Sequence, residues 1–156
     1  ARVGWWMVSP GVSDLGPQTI VAGVARQSTG YTCAAASMVT LLHARGIDAS
    51  ETEMARLALV EVGGGTTDSR VVWGLERKLA GTPLRVSYRS LDLAGLIAAT
   101  KPCLVQLDWG FFVSHMVPVM HADAQRVVIG DPLSGPRELP TREFAHQWKG
   151  CAIIVE

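Results

Sequence analysis

Two spacings of apolar residues run along this chain, and the change from one to the other divides it. From Cys33 the residues Cys-Ala-Ala-Ala-Ser-Met-Val-Thr-Leu-Leu form an unbroken run of helix formers. It closes at Arg45-Gly46, a basic last turn followed by glycine, and Thr32 stands at the N-cap position. Ser50-Glu51-Thr52-Glu53 matches a capping box and predicts a second helix from Glu51 to about Val60. After the loop Gly63-Gly64-Gly65-Thr66-Thr67, a cap at Thr67 or Ser69 opens a third helix that reaches about Ala80 and ends at Gly81. The pattern then alternates. Residues 84–88, 103–108, 116–121, 126–130 and 151–155 read as strands. Short helices intervene, one capped by Ser90 and running to Ala98 or Ala99, the other over residues 142–148. Helices first and strands later predict an α+β fold with a mostly antiparallel sheet, not alternating βαβ units.

The first part of the chain is less patterned. It has turn signals at Ser9-Pro10-Gly11 and Gly16-Pro17, a short extended run over residues 19–24, and no chemistry. Arg2-Val3-Gly4-Trp5-Trp6-Met7 is read as a strand packing on the core in preference to the stub of a removed membrane anchor. The chain opens on alanine and is expected to be a piece of a longer protein; no apolar run is long enough to span a bilayer. At 156 residues it fits one domain, expected over residues 26–156 with residues 1–25 as an extension.

Composition narrows the function. Fourteen Lys and Arg balance fourteen Asp and Glu, with no basic run, so the electrostatic footprint of a nucleic-acid binder is missing. Cys33, Cys103 and Cys151 are too few and too irregularly spaced for a disulfide framework or a zinc site, which indicates a reducing compartment. Cys103 and Cys151 sit in apolar strands and read as small buried hydrophobes. The glycine-rich loop lacks the Lys-Ser/Thr of a P-loop and the spacing of GxGxxG, so it reads as a plain loop. No cofactor or metal is called for.

Cys33 is the residue with chemistry to offer. In the first turn of a helix, free N–H groups and the helix dipole favour the thiolate, which is the nucleophilic form. Gln27, six residues earlier, carries an amide donor that a loop through Gly30 can fold back beside the sulfur. Acyl transfer needs both a nucleophile and a donor aimed at the oxyanion. The base must be one of four histidines. His43 is about 15 Å along the same helix, too far to serve, and His121 and His146 read as surface residues. His115 remains. If residues 122–124 turn the hairpin between the third and fourth predicted strands, His121 pairs with Gln125, Val119 with Val127 and Val117 with Ile129. The same register sets His115 opposite Asp131, where a carboxylate would fix the imidazole tautomer and stabilise its cation.

A helix-borne cysteine facing a sheet-borne histidine is the layout of papain-like proteases, and from about Arg26 onward the chain resembles the peptidase C39 family. The resemblance rests on Gln27 and Cys33, on His115 followed by Met-Val-Pro-Val, and on Gly130-Asp131-Pro132 with Gly135. Glu143-Phe144 and Trp148-Lys149-Gly150 complete it. It implies a papain-like fold, Cys33 as nucleophile, His115 as general base and acid, Asp131 as its orienting partner and Gln27 as oxyanion donor. It also implies a bacteriocin-processing type of endopeptidase that removes leader peptides ending in Gly-Gly or Gly-Ala. Such domains usually stand at the N-terminus of an exporting ABC transporter, hence at the cytoplasmic face of a membrane. Two departures bear on substrate preference: Thr32-Cys33-Ala34 replaces the usual Asp-Cys-Gly, and Trp109-Gly110-Phe111-Phe112 lengthens the approach to His115. The rival readings are a non-cleaving relative that binds export-substrate peptides and a cysteine acyltransferase on the same scaffold.

Overall fold

The computed structural model describes residues 12–110 and 113–156. The expectations for Ser9-Pro10-Gly11, for the tryptophan-containing opening and for Phe111-Phe112 fall outside these residues. A small hairpin, β1 (Ile20–Val21) and β2 (Val24–Ala25), precedes three helices: α1 (Cys33–Ala44), α2 (Glu51–Leu57) and α3 (Asp68–Lys78). Then follow β3 (Val86–Ser90), α4 (Leu93–Ala98), β4 (Cys103–Asp108), β5 (Ser114–Ala122), β6 (Arg126–Asp131), β7 (Gly135–Pro140), α5 (Thr141–Gln147) and β8 (Trp148–Val155). Strands β3 to β8 form one sheet in the order β3-β8-β4-β5-β6-β7, antiparallel at every pairing.

Alternation along the strands feeds two cores. Leu104, Met116, Ile153 and Val155 pack with α1, α2 and α3, while Val105, Leu107, Val117, Val119, Ile129 and Ile154 join Leu96 of α4 and Phe144 of α5. Helix α1 lies between the sheet and the other two helices, so residues Ala34 to Leu42 are all buried. Its three successive alanines keep that approach close without steric cost.

Several local expectations shift for identifiable reasons. Helix α2 stops three residues early because Leu59 turns to φ 50° and Val60 N–H bonds back to the Ala55 carbonyl at 2.9 Å. Thr67, not Ser69, caps α3, which ends at Lys78. Ser90 belongs to β3, and α4 is capped instead by Asp92, whose carboxylate accepts from Gly95 N–H at 2.7 Å. The run at 19–24 is a hairpin, turned by Ala22 and Gly23 with φ 51° and 76°. Cys103 is buried, whereas Cys151 is only half-buried.

The hairpin register is corrected as well. Asp123 Oδ1 accepts from both Gln125 N–H and Arg126 N–H, at 2.8 and 2.9 Å, and this four-residue turn pairs Ala122 with Val127. A bulge between Val119 and His121 absorbs one residue, after which Val119 pairs with Ile129, not Val127. Relative to the expected register the strands are offset by two. An even offset preserves the face, so His115 and Asp131 are diagonal neighbours on one side of the sheet and not directly opposed.

Candidate active site

Three polar residues interrupt the apolar α1 at positions i, i+4 and i+7: Cys33, Ser37 and Thr40. That spacing places them on one stripe of the helix, and each ties the stripe to a different part of the fold. Ser37 Oγ donates to the Met116 carbonyl at 2.9 Å, next to His115 on β5. Thr40 Oγ1 accepts from Ala25 N–H at 2.8 Å, two residues before Gln27. These buried bonds fix how α1 sits against the strand that carries the imidazole and the segment that carries the amide.

On the sheet, His115 Nε2 and Asp131 Oδ1 are 3.0 Å apart, and both residues are buried. A Cβ on Gly130 would lie 3.0 Å from the Val24 side chain and 3.1 Å from Pro118, so glycine lets β2 pack closely on the sheet beside Asp131. Asp131 also accepts from Leu133 N–H at 2.9 Å through Oδ1, and Arg137 reaches Oδ2 at 3.3 Å. Gln27 N–H donates to the carbonyl of Pro132 at 3.0 Å, joining the Gln27 loop to the Asp131 turn.

With Nε2 committed to Asp131, Nδ1 is the ring nitrogen left for the sulfur. Burial pushes the Cys33 thiol up, but the hydrogen bond and charge of His115, together with the N–H groups of Met116 and Ala34, outweigh it and leave the thiol below its ordinary value. The reciprocal holds for His115. Burial lowers it, and the Asp131 hydrogen bond with the Cys33 hydrogen bond and charge reverse that, raising it to about 9. Burial raises Asp131, yet bonds from His115 and Leu133 hold it well below the usual carboxylate range. All three shifts favour one state: thiolate, imidazolium and carboxylate in line. Trp109 lies against the ring, its centroid 4.0 Å from that of His115 with the planes tilted 32°.

Two expected roles take a different form. Thr32 occupies the N-cap position but makes no capping bond; its hydroxyl turns back to Thr29 Oγ1 at 2.8 Å. First-turn N–H groups of α1 are therefore not occupied by a side-chain cap. Gln27 Nε2 donates to the Thr29 carbonyl at 2.6 Å, and its buried Oε1 has no partner among the described residues. Flipping the amide would set two acceptors face to face, so the orientation is fixed, with one of the two amide hydrogens still available.

Three contributors are not singled out from sequence. Ser37 and Thr40 carry a readable signal, their helical spacing from Cys33. Arg137 is hidden with the unrecognised β7, whose Pro136 and Pro140 obscure the strand pattern. Trp109 stands in the sequence as part of the approach to His115, but not as the ring that stacks on it. His121 and His146 are exposed, and His43 sits on the last turn of α1. Cys33 opens onto a cavity of about 400 Å³ lined by Tyr31, Ala34, Gly64, Gln106 and Ser114 among others.

Comparison with known proteins agrees with this architecture. Residues 22–156 match the peptidase C39 family. An uncharacterized protein of Methanothermobacter marburgensis is 29% identical over 144 residues, 92% of each chain. The peptidase domain of Streptococcus ComA, a bi-functional ABC transporter involved in a quorum-sensing pathway, superposes with a TM-score of 0.74. That match covers 83% of this chain and 94% of the other, at 21% identity. A double glycine motif protease from an AMS/PCAT transporter, solved in complex with the leader peptide, gives a TM-score of 0.73 over 90% and 98% of the two chains, at 19% identity. The fold is thus the papain-like one of helices packed on an antiparallel sheet. No described helix is long and apolar enough to cross a membrane. With a match across nearly its whole length, the chain belongs to the peptidase C39 family.

Proposed function

We propose that the protein is a cysteine endopeptidase that cuts a peptide after a double-glycine-type sequence, with Cys33 as nucleophile, His115 as acid and base, and Asp131 as orienting carboxylate. The observation that carries this reading is the placement of Cys33 in the first turn of α1, with a buried His115 whose Nε2 lies 3.0 Å from Asp131 Oδ1. The thiol shifted down and the imidazole shifted up to about 9 favour the nucleophile and the proton donor together. Thiolate attack on the scissile carbonyl forms a C–S bond and an oxyanion. First-turn N–H groups of α1 and the second amide hydrogen of Gln27 are the donors for that oxygen. Collapse expels the amine, which takes the proton from His115. Water, deprotonated by His115, then attacks the thioester, releasing the carboxylate and returning the thiolate. A preference for glycine would come from the part of the cavity lined by Tyr31, Ala34 and the Gly63–Gly65 loop, where a clash with Cβ discriminates more sharply than any added contact.

By analogy with the transporter domains it superposes on, the substrate is a leader peptide and the working location the cytoplasmic face of an exporter, with residues 26–156 as the peptidase unit and residues 1–25 as an extension. The second reading is a domain that binds such peptides without cutting, and the engagement of the Gln27 amide by Thr29 favours it. Incubation with peptides ending the leader in Gly-Gly, Gly-Ala or Ala-Ala, followed by mass spectrometry, separates the two. The proposal predicts cleavage after Gly-Gly at least about tenfold faster than after Ala-Ala, the equivalent of about 1.4 kcal/mol. Tight binding of all three without cleavage supports the binder and contradicts the peptidase.

A further inference from the structure

Beyond the cavity at Cys33 lies a second, larger one of about 690 Å³ that reaches Asp68, Val72 and Tyr88. Thr66, Gln106 and Ser114 line both, so the two form one groove. His115, which protonates the leaving amine on the reading above, lines neither. The groove accordingly takes the acyl side of the substrate, the residues N-terminal to the cut.

Among the described residues, Asp68 is the one acidic or basic side chain lining the groove apart from the Cys33 thiol. It is in no ion pair among the described residues; Arg70, two residues on, pairs with Glu61 at 2.8 Å instead. The Gln106 amide, which lines both cavities, donates to Asp68 Oδ1 and fixes the carboxylate in the second one. Beside it, Val72 and the half-exposed ring of Tyr88 offer an apolar wall. An alkyl stem with a cationic head fits such a wall and carboxylate. The α3 N-terminus alone would favour an anion, but its roughly half-charge is spread over several N–H groups and the full charge of Asp68 opposes it. Nearer Cys33 the preference differs, since the Lys149 ammonium bonds Ser114 Oγ at the neck of the groove. A cation is thus disfavoured at the neck and favoured at the far end.

We propose that the far end of this groove is a specificity subsite for a lysine or arginine side chain lying a few residues before the scissile bond, with Asp68 as its counter-charge. The inference rests on the peptidase reading for the direction of the substrate, but binding tests it without cleavage. Labelled peptides ending in Gly-Gly-Ala, with lysine, alanine or glutamate placed in turn at the third to sixth residue before the cut, are titrated into the Cys33→Ala variant by fluorescence anisotropy. At one position lysine should bind about tenfold more tightly than glutamate at low salt, and the difference should shrink at about 0.5 M salt. Asp68→Asn should erase the preference and Asp68→Lys invert it, with circular dichroism unchanged. Binding that is absent, indifferent to charge, or equally lysine-selective in Asp68→Lys overturns the subsite. If the charge pattern appears but the unsubstituted protein cuts none of these peptides, the subsite stands and the endopeptidase reading falls.

Discussion

Replacing Cys33 with alanine is expected to reduce kcat by at least about 10⁴-fold, because the covalent route disappears and what remains is peptide binding beside oxyanion donors. The fold should survive. Cys33 is half-buried in the first turn of α1, alanine is the better helix former, and the bonds that seat α1 come from Ser37 and Thr40 instead. Cys33→Ser should be equally inactive, since a hydroxyl is a far weaker acid than a thiol and yields little nucleophilic anion beside His115. Turnover measured by mass spectrometry, alongside thermal unfolding of both variants, checks the prediction. Undiminished cleavage by either variant would show that another group performs the attack.

Substitution of Asp131 should divide its orienting role from its charge. Asp131→Ala removes the acceptor for His115 Nε2 and for Leu133 N–H, and leaves the Arg137 guanidinium without its partner. We expect kcat/KM to fall about 10²- to 10³-fold, the scale of a misplaced acid–base group. Buried donors left unpaired should also cost about 1–3 kcal/mol of stability. Asp131→Asn keeps an oxygen facing the ring and should lose about tenfold or less. The sign of the pH effect follows from the charges. Asp131 helps raise His115 from 6.5 to about 9, so losing the carboxylate returns the imidazole towards 6.5, and the alkaline limb of kcat/KM moves down in both variants. A kcat/KM profile from pH 5 to about 10 reads that shift. An alkaline limb that stays near 9 in Asp131→Ala would show that the carboxylate does not govern the imidazole.

How far these features were legible from residues alone depended on whether a local rule set them. Helix α1 follows from a run of helix formers with a clear stop and strand β4 from a largely apolar run, and the parity that brings His115 and Asp131 to one face follows from strand alternation. Register did not, because Asp123 holds a turn one residue longer than expected and the bulge after Val119 restores the phase. The turn is local Asx chemistry at Asp123, but its length and the bulge after Val119 are settled together only when the strands pair. Thr32 has the identity of a cap and the position of one, yet Thr29 outcompetes the helix for its hydroxyl. Strand β7 was lost between prolines, and with it Arg137. Ser37 and Thr40 stood in plain view at helical spacing from Cys33, but only the folded chain supplies their partners, the Met116 carbonyl and the Ala25 N–H.

The account turns on a charge-separated pair at Cys33 and His115, and the pH dependence of Cys33 alkylation reports it without any substrate. Iodoacetamide labelling followed by peptide mapping isolates Cys33 from Cys103, whose burial pushes its thiol up to about 11, and from Cys151. The rate should rise with a midpoint below 9.0 and change again near 9 as His115 loses its proton. In His115→Ala only the burial that raises the thiol and the weaker backbone bonds remain, so the low midpoint should vanish and the rise should move towards or above 9.0. One ordinary thiol titration, the same with and without the imidazole, would contradict the account.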